Sequence, residues 1–141
     1  MAIPISVIIP TLNEARTITA TLAHTASLGF DELIVVDGGS TDETLALVES
    51  HRLNTQSSAL SPIQWVTAPP GRARQMNEGV KASGGEILLF LHADTLLPDD
   101  AKITIDTALV DQRTVGGRFD VRFNHPSIWG TVISWTMNWR S

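Results

Sequence analysis

The sequence predicts an α/β fold, a mainly parallel β-sheet with helices on both faces. Three observations carry that reading. Short β-rich runs alternate with helix-patterned stretches along the chain, the order that builds parallel sheets. Two of the runs, Leu33–Val36 (LIVV) and Ile87–Leu91 (ILLFL), are continuously apolar, so neither has a face suited to water. Polar clusters follow the strands directly at Thr11–Glu14, Asp37–Asp42, Gly71–Asn77 and His92–Asp94. A parallel sheet puts all four on one edge, where such folds bind ligands.

The elements follow in order. Ser6–Ile9 is a first buried strand. Asn13–Ser27 reads as a helix, with Ala15, Ile18, Leu22 and Ala26 near helical spacing. Thr11 and Glu14 form a T-x-x-E capping box, and Gly29 lies just past the end. Leu33–Val36 is the second strand. Ser40 and Glu43 make a second box for a helix reaching about Ser50, followed by a polar loop over Leu53–Pro62. Gln64–Thr67 is the third strand and Arg72–Lys81 a short helix, with Met76 and Val80 toward the core. Ile87–Leu91 is expected to be the most buried strand. Pro98 and Asp99 open a helix to about Val110. Gly117–Phe123 alternates as a strand, and Ser127–Trp139 is a last helix carrying Trp129, Trp135 and Trp139. The predicted division is a domain over 1–124 and a hydrophobic C-terminal helix over 125–141, the start of an acceptor-side region that the chain would cut short.

A chain of 141 residues, 43% hydrophobic, suits one compact domain with a real core. The net charge of -5 argues against nucleic acid as a partner. Without cysteine there are no disulfides or thiolate metal sites, which fits a cytoplasmic setting. The apolar start lacks a basic segment and is interrupted by Pro4 and Pro10, so it does not read as a signal peptide.

The clusters carry the chemistry. In DGGSTD, Gly38 and Gly39 allow a sharp turn and close approach to a ligand. Asp37, at a strand tip, could accept hydrogen bonds from a base or ribose, while Ser40–Asp42 read as turn and cap. In GRARQMNEG, Arg72 and Arg74 stand at a helix start, where the dipole already favours anions. A bound phosphate would explain them, with a solvated basic face as the alternative. Asn77 could face the same cleft one turn on. His92 and Asp94 follow the ILLFL strand two residues apart, and in an extended segment they point the same way. They could share a divalent ion, Mn²⁺ or Mg²⁺. For His92 a hydrogen-bonded role stands open beside that of ligand. His24, His51 and His125 read as surface residues.

Taken together, IIPTLNEA, VVDGGSTDET, GRARQMNEGVKASGGEILLFLHADTLLP and GGRFDVRF resemble glycosyltransferase family 2 over about Ile5 to Phe123. The resemblance implies a Rossmann-like GT-A nucleotide-sugar-binding fold. It implies transfer of a sugar from a nucleoside-diphosphate sugar, a UDP-sugar first among the candidates, to an unknown acceptor, with metal assistance and inversion. By it, Pro10, Thr11, Asn13, Glu14 and Asp37 would line the nucleoside site, with Arg74 near the nucleotide; Gly39 and Asn77 join them as candidate cofactor-binding residues. Asp94 would match the last aspartate of the family's D-x-D metal motif, whose first position is His92 here. Gly116–Phe119 would match the acceptor-side strand.

The family's catalytic base lies well beyond that strand, and after Asp120 this chain has no Asp or Glu. The competing expectation is therefore a non-catalytic nucleotide-binding module. A Rossmann-like methyltransferase is a third reading, but it leaves Asp94 and the paired arginines without work. The tryptophan helix suggests packing against a further part or a partner, a homodimer contact, or an interfacial helix beside a lipid-linked acceptor at the inner membrane.

Overall fold

The computed structural model describes residues 3–56, 58–111 and 113–120. Its elements are β1 (Ile5–Thr11), α1 (Ile18–Ser27), β2 (Glu32–Asp37), α2 (Thr44–Thr55), β3 (Ile63–Thr67), α3 (Arg72–Ala82), β4 (Ile87–Phe90) and α4 (Ala101–Ala108). The chain forms two compact units, Met1–Thr107 and Ala108–Ser141. The first holds the sheet, whose order is β3-β2-β1-β4 with every pairing parallel. The boundary expected at residue 124 and the tryptophan helix lie outside the described residues, as does the second half of the expected Gly117–Phe123 strand. Residues 117–120 form no strand.

The order of strands decides which face each helix covers. The chain steps from β1 to β2 to β3 in one direction and then returns past β1 to β4. Right-handed crossovers put α1 and α2 on one face and α3 on the other. The α3 face carries Ile8, Ile34 and Val36, all fully buried, with Val66, Ala68, Ala82 and Leu88 packed against them. Val7, Ile9, Leu33 and Val35 alternate to the opposite face and are equally buried, as residues of a strand covered on both sides must be.

Several expected features differ. The most buried strands are β1 and β2, not β4. β4 is an edge strand of the described sheet, and Phe90 remains 41% exposed. Its apolar run marks strand identity but not central position. Neither expected capping box forms. Asn13 adopts a left-handed φ of 56°, which breaks the helical path, and α1 begins only at Ile18. Thr11 is instead the last residue of β1, its hydroxyl donating to the Val36 carbonyl at 3.4 Å. Ser40 turns back to Asp37, and α2 starts at Thr44 without a side-chain cap. α2 also runs five residues beyond Ser50, to Thr55, into the expected loop. Gly29 does follow α1 with a φ of 77°, where glycine carries no Cβ penalty.

Helix α3 buries Gln75 and Gly79, while Val80 is 38% exposed. The helix therefore presents its smallest residue to the sheet, not the expected Val80. A Cβ at Gly79 would lie 3.0 Å from Val36 Cγ2 and closer still to Ile8 Cγ2. Alanine would gain about 1 kcal/mol of helix propensity, but overpacking costs about 1–3 kcal/mol. Gly79→Ala is thus expected to lower the urea midpoint. A raised midpoint would show that α3 does not sit this close to the sheet.

Candidate functional site

The reversal of direction in the strand order creates a switch point between β1 and β4, the place where open α/β sheets leave a crevice beyond their carboxyl ends. A cavity of about 240 Å³ opens there, lined by residues of three segments. The segment leaving β1 supplies Pro10, Thr11, Leu12 and Glu14. The start of α3 supplies Gly71, Arg72 and Gln75. The segment leaving β4 supplies His92, Ala93 and Asp94. Register explains the meeting of the first and last. Phe90 pairs with Ile8, and the ladder continues as Leu91 N–H donates to the Ile8 carbonyl at 2.9 Å. His92 therefore comes level with Pro10.

His92 and Asp94 both line the cavity, but through a turn and not the expected extended segment. The Thr95 N–H donates to the His92 carbonyl at 3.1 Å. Ala93 between them is 3% exposed, and α1 holds it in place. The Thr21 hydroxyl donates to the Ala93 carbonyl at 2.8 Å, and His24 Nε2 lies 2.7 Å from the Leu97 carbonyl. His24 is thus a tether and not a plain surface residue. Arg72 Nη1 lies 3.3 Å from His92 Nε2. A guanidinium can only donate, so in this contact His92 Nε2 is the acceptor. The Asp94 carboxylate is exposed and accepts from the Thr95 hydroxyl at 3.2 Å through Oδ1.

The remaining expected site residues divide. Pro10, Thr11 and Glu14 line the cavity; Asn13, Asp37, Gly39, Arg74 and Asn77 are not among its lining residues. Asp37 is 1% exposed. Its Oδ2 accepts the N–H groups of Gly39 and Ser40 at 2.9 Å, and its Oδ1 the Ser40 hydroxyl. Asn13 bridges two loops: its N–H donates to the Ser40 hydroxyl at 2.9 Å, and its Oδ1 accepts the Thr41 N–H at 2.8 Å. Asp42 completes the stitching by accepting from the Ala15 N–H at 3.2 Å. The Thr44 hydroxyl, with smaller help from backbone N–H groups, holds the Asp42 carboxyl below its ordinary range. Arg74 and Asn77 lie exposed on α3. Hence Asp94 stands at the cavity, whereas neither Asp37 nor Arg74 lines it. Gln75 and Leu12 went unread in the sequence. The signal for Gln75 was its spacing of four from Gly79, which puts both on one helix face.

The donor set suits a hard divalent cation held jointly with a ligand. Among the described residues no three His, Asp or Glu side chains gather into a metal site. Mg²⁺-type ions, however, are commonly held by one or two carboxylates plus substrate phosphates, and Asp94 offers one accessible carboxylate at the cleft. His92 fits less well, because its Nε2 lone pair is already engaged by Arg72. Gly71 precedes α3 with no side-chain cap and lines the same space together with Arg72, and an uncapped helix start is suited to an anion. No helix among the described residues is long and apolar enough to cross a membrane.

The model of the family described as Glycosyl transferase family 2 matches residues 6–140. A poly(ribitol-phosphate) beta-N-acetylglucosaminyltransferase of Staphylococcus aureus is 34% identical over 126 residues, covering 80% of this chain and 22% of the relative. The glucosyl-3-phosphoglycerate synthase of Mycobacterium tuberculosis is 34% identical over 99 residues, covering 67% of this chain and 30% of the relative. The chain thus spans less than a third of either relative's length. Among solved structures, a mannosyltransferase from Pyrobaculum calidifontis in complex with GDP-Man and Mn²⁺ superposes with a TM-score of 0.71 at 28% identity, over 87% of this chain and 36% of that one. The Mycobacterium tuberculosis synthase in complex with Mn²⁺, UDP and phosphoglyceric acid gives 0.57 at 25% identity, over 79% of this chain and 39% of that one.

Proposed function

Because the chain belongs to glycosyltransferase family 2, we propose that its cleft grips the diphosphate of a nucleoside-diphosphate sugar and presents the sugar to an acceptor hydroxyl. The observation that carries this reading is the convergence of Asp94, Arg72 and the uncapped start of α3 on one cavity at the switch point of the sheet. A guanidinium and N–H donors gathered beside the exposed Asp94 carboxylate suit a polyphosphate bound together with a divalent ion. The ligands of the structural relatives, GDP-mannose with Mn²⁺ and UDP with Mn²⁺ or Mg²⁺, are the ligand class we carry to this chain.

In this reading Asp94 holds the cation through a carboxylate oxygen. Bound there, the ion would offset the negative charge that gathers on the departing diphosphate. Arg72 pairs with a phosphate oxygen, and the first N–H groups of α3 add partial positive charge in a fixed direction. Pro10, Thr11 and Leu12 wall the nucleoside side. Asp37, Asn13 and Ser40 act one layer out by stitching the loops after β1 and β2 into one frame. The acceptor hydroxyl loses its proton to a base or to solvent, and its oxygen forms a bond to the anomeric carbon as the bond to the diphosphate oxygen breaks. The diphosphate leaves with the electron pair, and the carbon inverts.

Calorimetry with UDP and GDP, each with Mn²⁺ and with EDTA, tests the binding half. Metal-enhanced binding of at least one is expected, and no binding of either with Mn²⁺ would overturn the reading. Release of free nucleoside diphosphate from UDP- and GDP-sugars tests the transfer half. Tight binding without release would favour a nucleotide-binding module.

A further inference from the structure

We infer that Gln75 is a positioning residue for the cleft: its carboxamide fastens the start of α3 to the carboxyl ends of β1 and β2 and so holds Arg72 beside His92. The inference rests on the reading of the cleft as a diphosphate site and names what sets its geometry.

Gln75 is a polar side chain only 4% exposed. Burying an amide is costly unless its donors are satisfied. Here the two hydrogens on Nε2 go to two different strands. One meets the Thr11 carbonyl at 2.7 Å and the other the Val36 carbonyl at 2.9 Å. Thr11 ends β1, and Val36 is the penultimate residue of β2. A single neutral nitrogen therefore ties a helix to two adjacent parallel strands at the rim where the cavity opens. Leucine, of similar size, could fill the space but could not donate. A carboxylate would set negative charge against two carbonyl oxygens.

The chain leaves room for this clasp. A Cβ at Gly38 would lie 3.0 Å from both Cδ and Nε2 of Gln75 and 3.1 Å from Oε1. Those atoms occupy the space that a side chain at 38 would take, so Gly38 and Gln75 form a matched pair. The link from clasp to cleft is one helical turn. The Gln75 N–H donates to the Gly71 carbonyl at 2.9 Å, so fixing Gln75 fixes the rotation of the turn that carries Gly71 and Arg72. Both residues line the cavity, and Arg72 reaches His92 from there. Farther along α3, Gly79 seats the helix against Ile8 and Val36. Loss of the clasp would therefore free the first turn while the rest of the helix stays in place.

The test uses the 141-residue protein with Gln75→Leu, and with Ser6→Ala as a control for stability. The Ser6 hydroxyl donates to Glu32 at 2.6 Å and accepts the Gly85 N–H at 2.8 Å, at the opposite rim of the sheet. Two readouts are taken well below the melting temperature: the affinity for UDP and GDP with Mn²⁺, and the His92 ring signals in ¹H–¹⁵N spectra without nucleotide. Gln75→Leu is expected to weaken affinity by about tenfold or more and to shift the His92 signals. Ser6→Ala is expected to lower the melting temperature and move neither readout. Gly38→Ala should disturb the same two readouts in the wild type, and should add little on top of Gln75→Ala. A folded Gln75→Leu protein with affinity within about twofold of wild type and unmoved His92 signals would overturn the inference. Should the wild type bind no nucleoside diphosphate, the functional reading falls, while the His92 signals still decide the role of Gln75.

Discussion

Asp94→Asn is expected to abolish the difference between nucleotide binding measured with Mn²⁺ and with EDTA. Among the described residues Asp94 is the one carboxylate that leaves β4 directly into the cavity. Asparagine keeps the shape and the contact with Thr95 but removes the negative charge that a hard cation requires. Changing even a residue that merely supports a metal ligand costs roughly 10–100-fold in affinity, so loss of the ligand itself should cost about a hundredfold or more. Titration of Asp94→Asn with UDP and Mn²⁺ checks this, and the affinity that remains should equal that of the wild type in EDTA. His92→Ala provides the contrast. If His92 serves Arg72, its loss weakens binding in Mn²⁺ and in EDTA alike. Full metal enhancement in Asp94→Asn would mean that the cation, if any, is held elsewhere.

The largest expected effect on stability is that of Ile34→Ala. Ile34 lies in the middle of β2, flanked by β1 and β3 and fully buried in the cluster with Ile8 and Val36 beneath α3. Deleting a buried isoleucine to alanine costs about 2–5 kcal/mol, the larger figure applying where the surroundings cannot close in. A central strand covered on both faces has little freedom to do so. Against a typical total stability of about 5–15 kcal/mol, that loss is a large share. Ile103→Ala is the comparison, since Ile103 is 69% exposed on α4 and a surface change of this kind stays within about 0.5 kcal/mol. Urea unfolding of the two variants should separate them clearly. Equal midpoints would show that the β2 face toward α3 is not the core.

The alternation of strand and helix, the parallel sheet and the site-bearing edge were legible because each rests on local periodicity. LIVV and the VII of β1 read as buried strands and are buried on both faces. The Arg72–Lys81 helix differs from α3 by one residue. What failed was of another kind. ILLFL reads as the most buried strand because apolar density measures burial potential, yet strand order, a property of the whole chain, puts β4 at the edge of the described sheet. The capping boxes failed because Thr11 and Ser40 had competing partners: the Val36 carbonyl for one, Asp37 and Asn13 for the other. A short motif cannot report partners such as Val36 and Asn13, which lie 25 and 27 residues away.

The sequence by itself determined the types of the elements from β1 to α4, the single edge on which the polar clusters lie, and the family to which the chain belongs, since these depend on residue patterns within a few positions. Only the tertiary structure decided which of those polar residues face the cavity and which lock the loops around it. It turned Asp37 and Asn13 into stitches, left Arg74 and Asn77 on an exposed helix face, and brought Arg72, His92 and Asp94 together with the buried Gln75. The reason is that hydrogen bonds and close packing are settled between segments remote in sequence. A carboxylate at a strand tip serves whichever donors the fold brings within 3 Å of it, here the N–H groups of Gly39 and Ser40 at 2.9 Å.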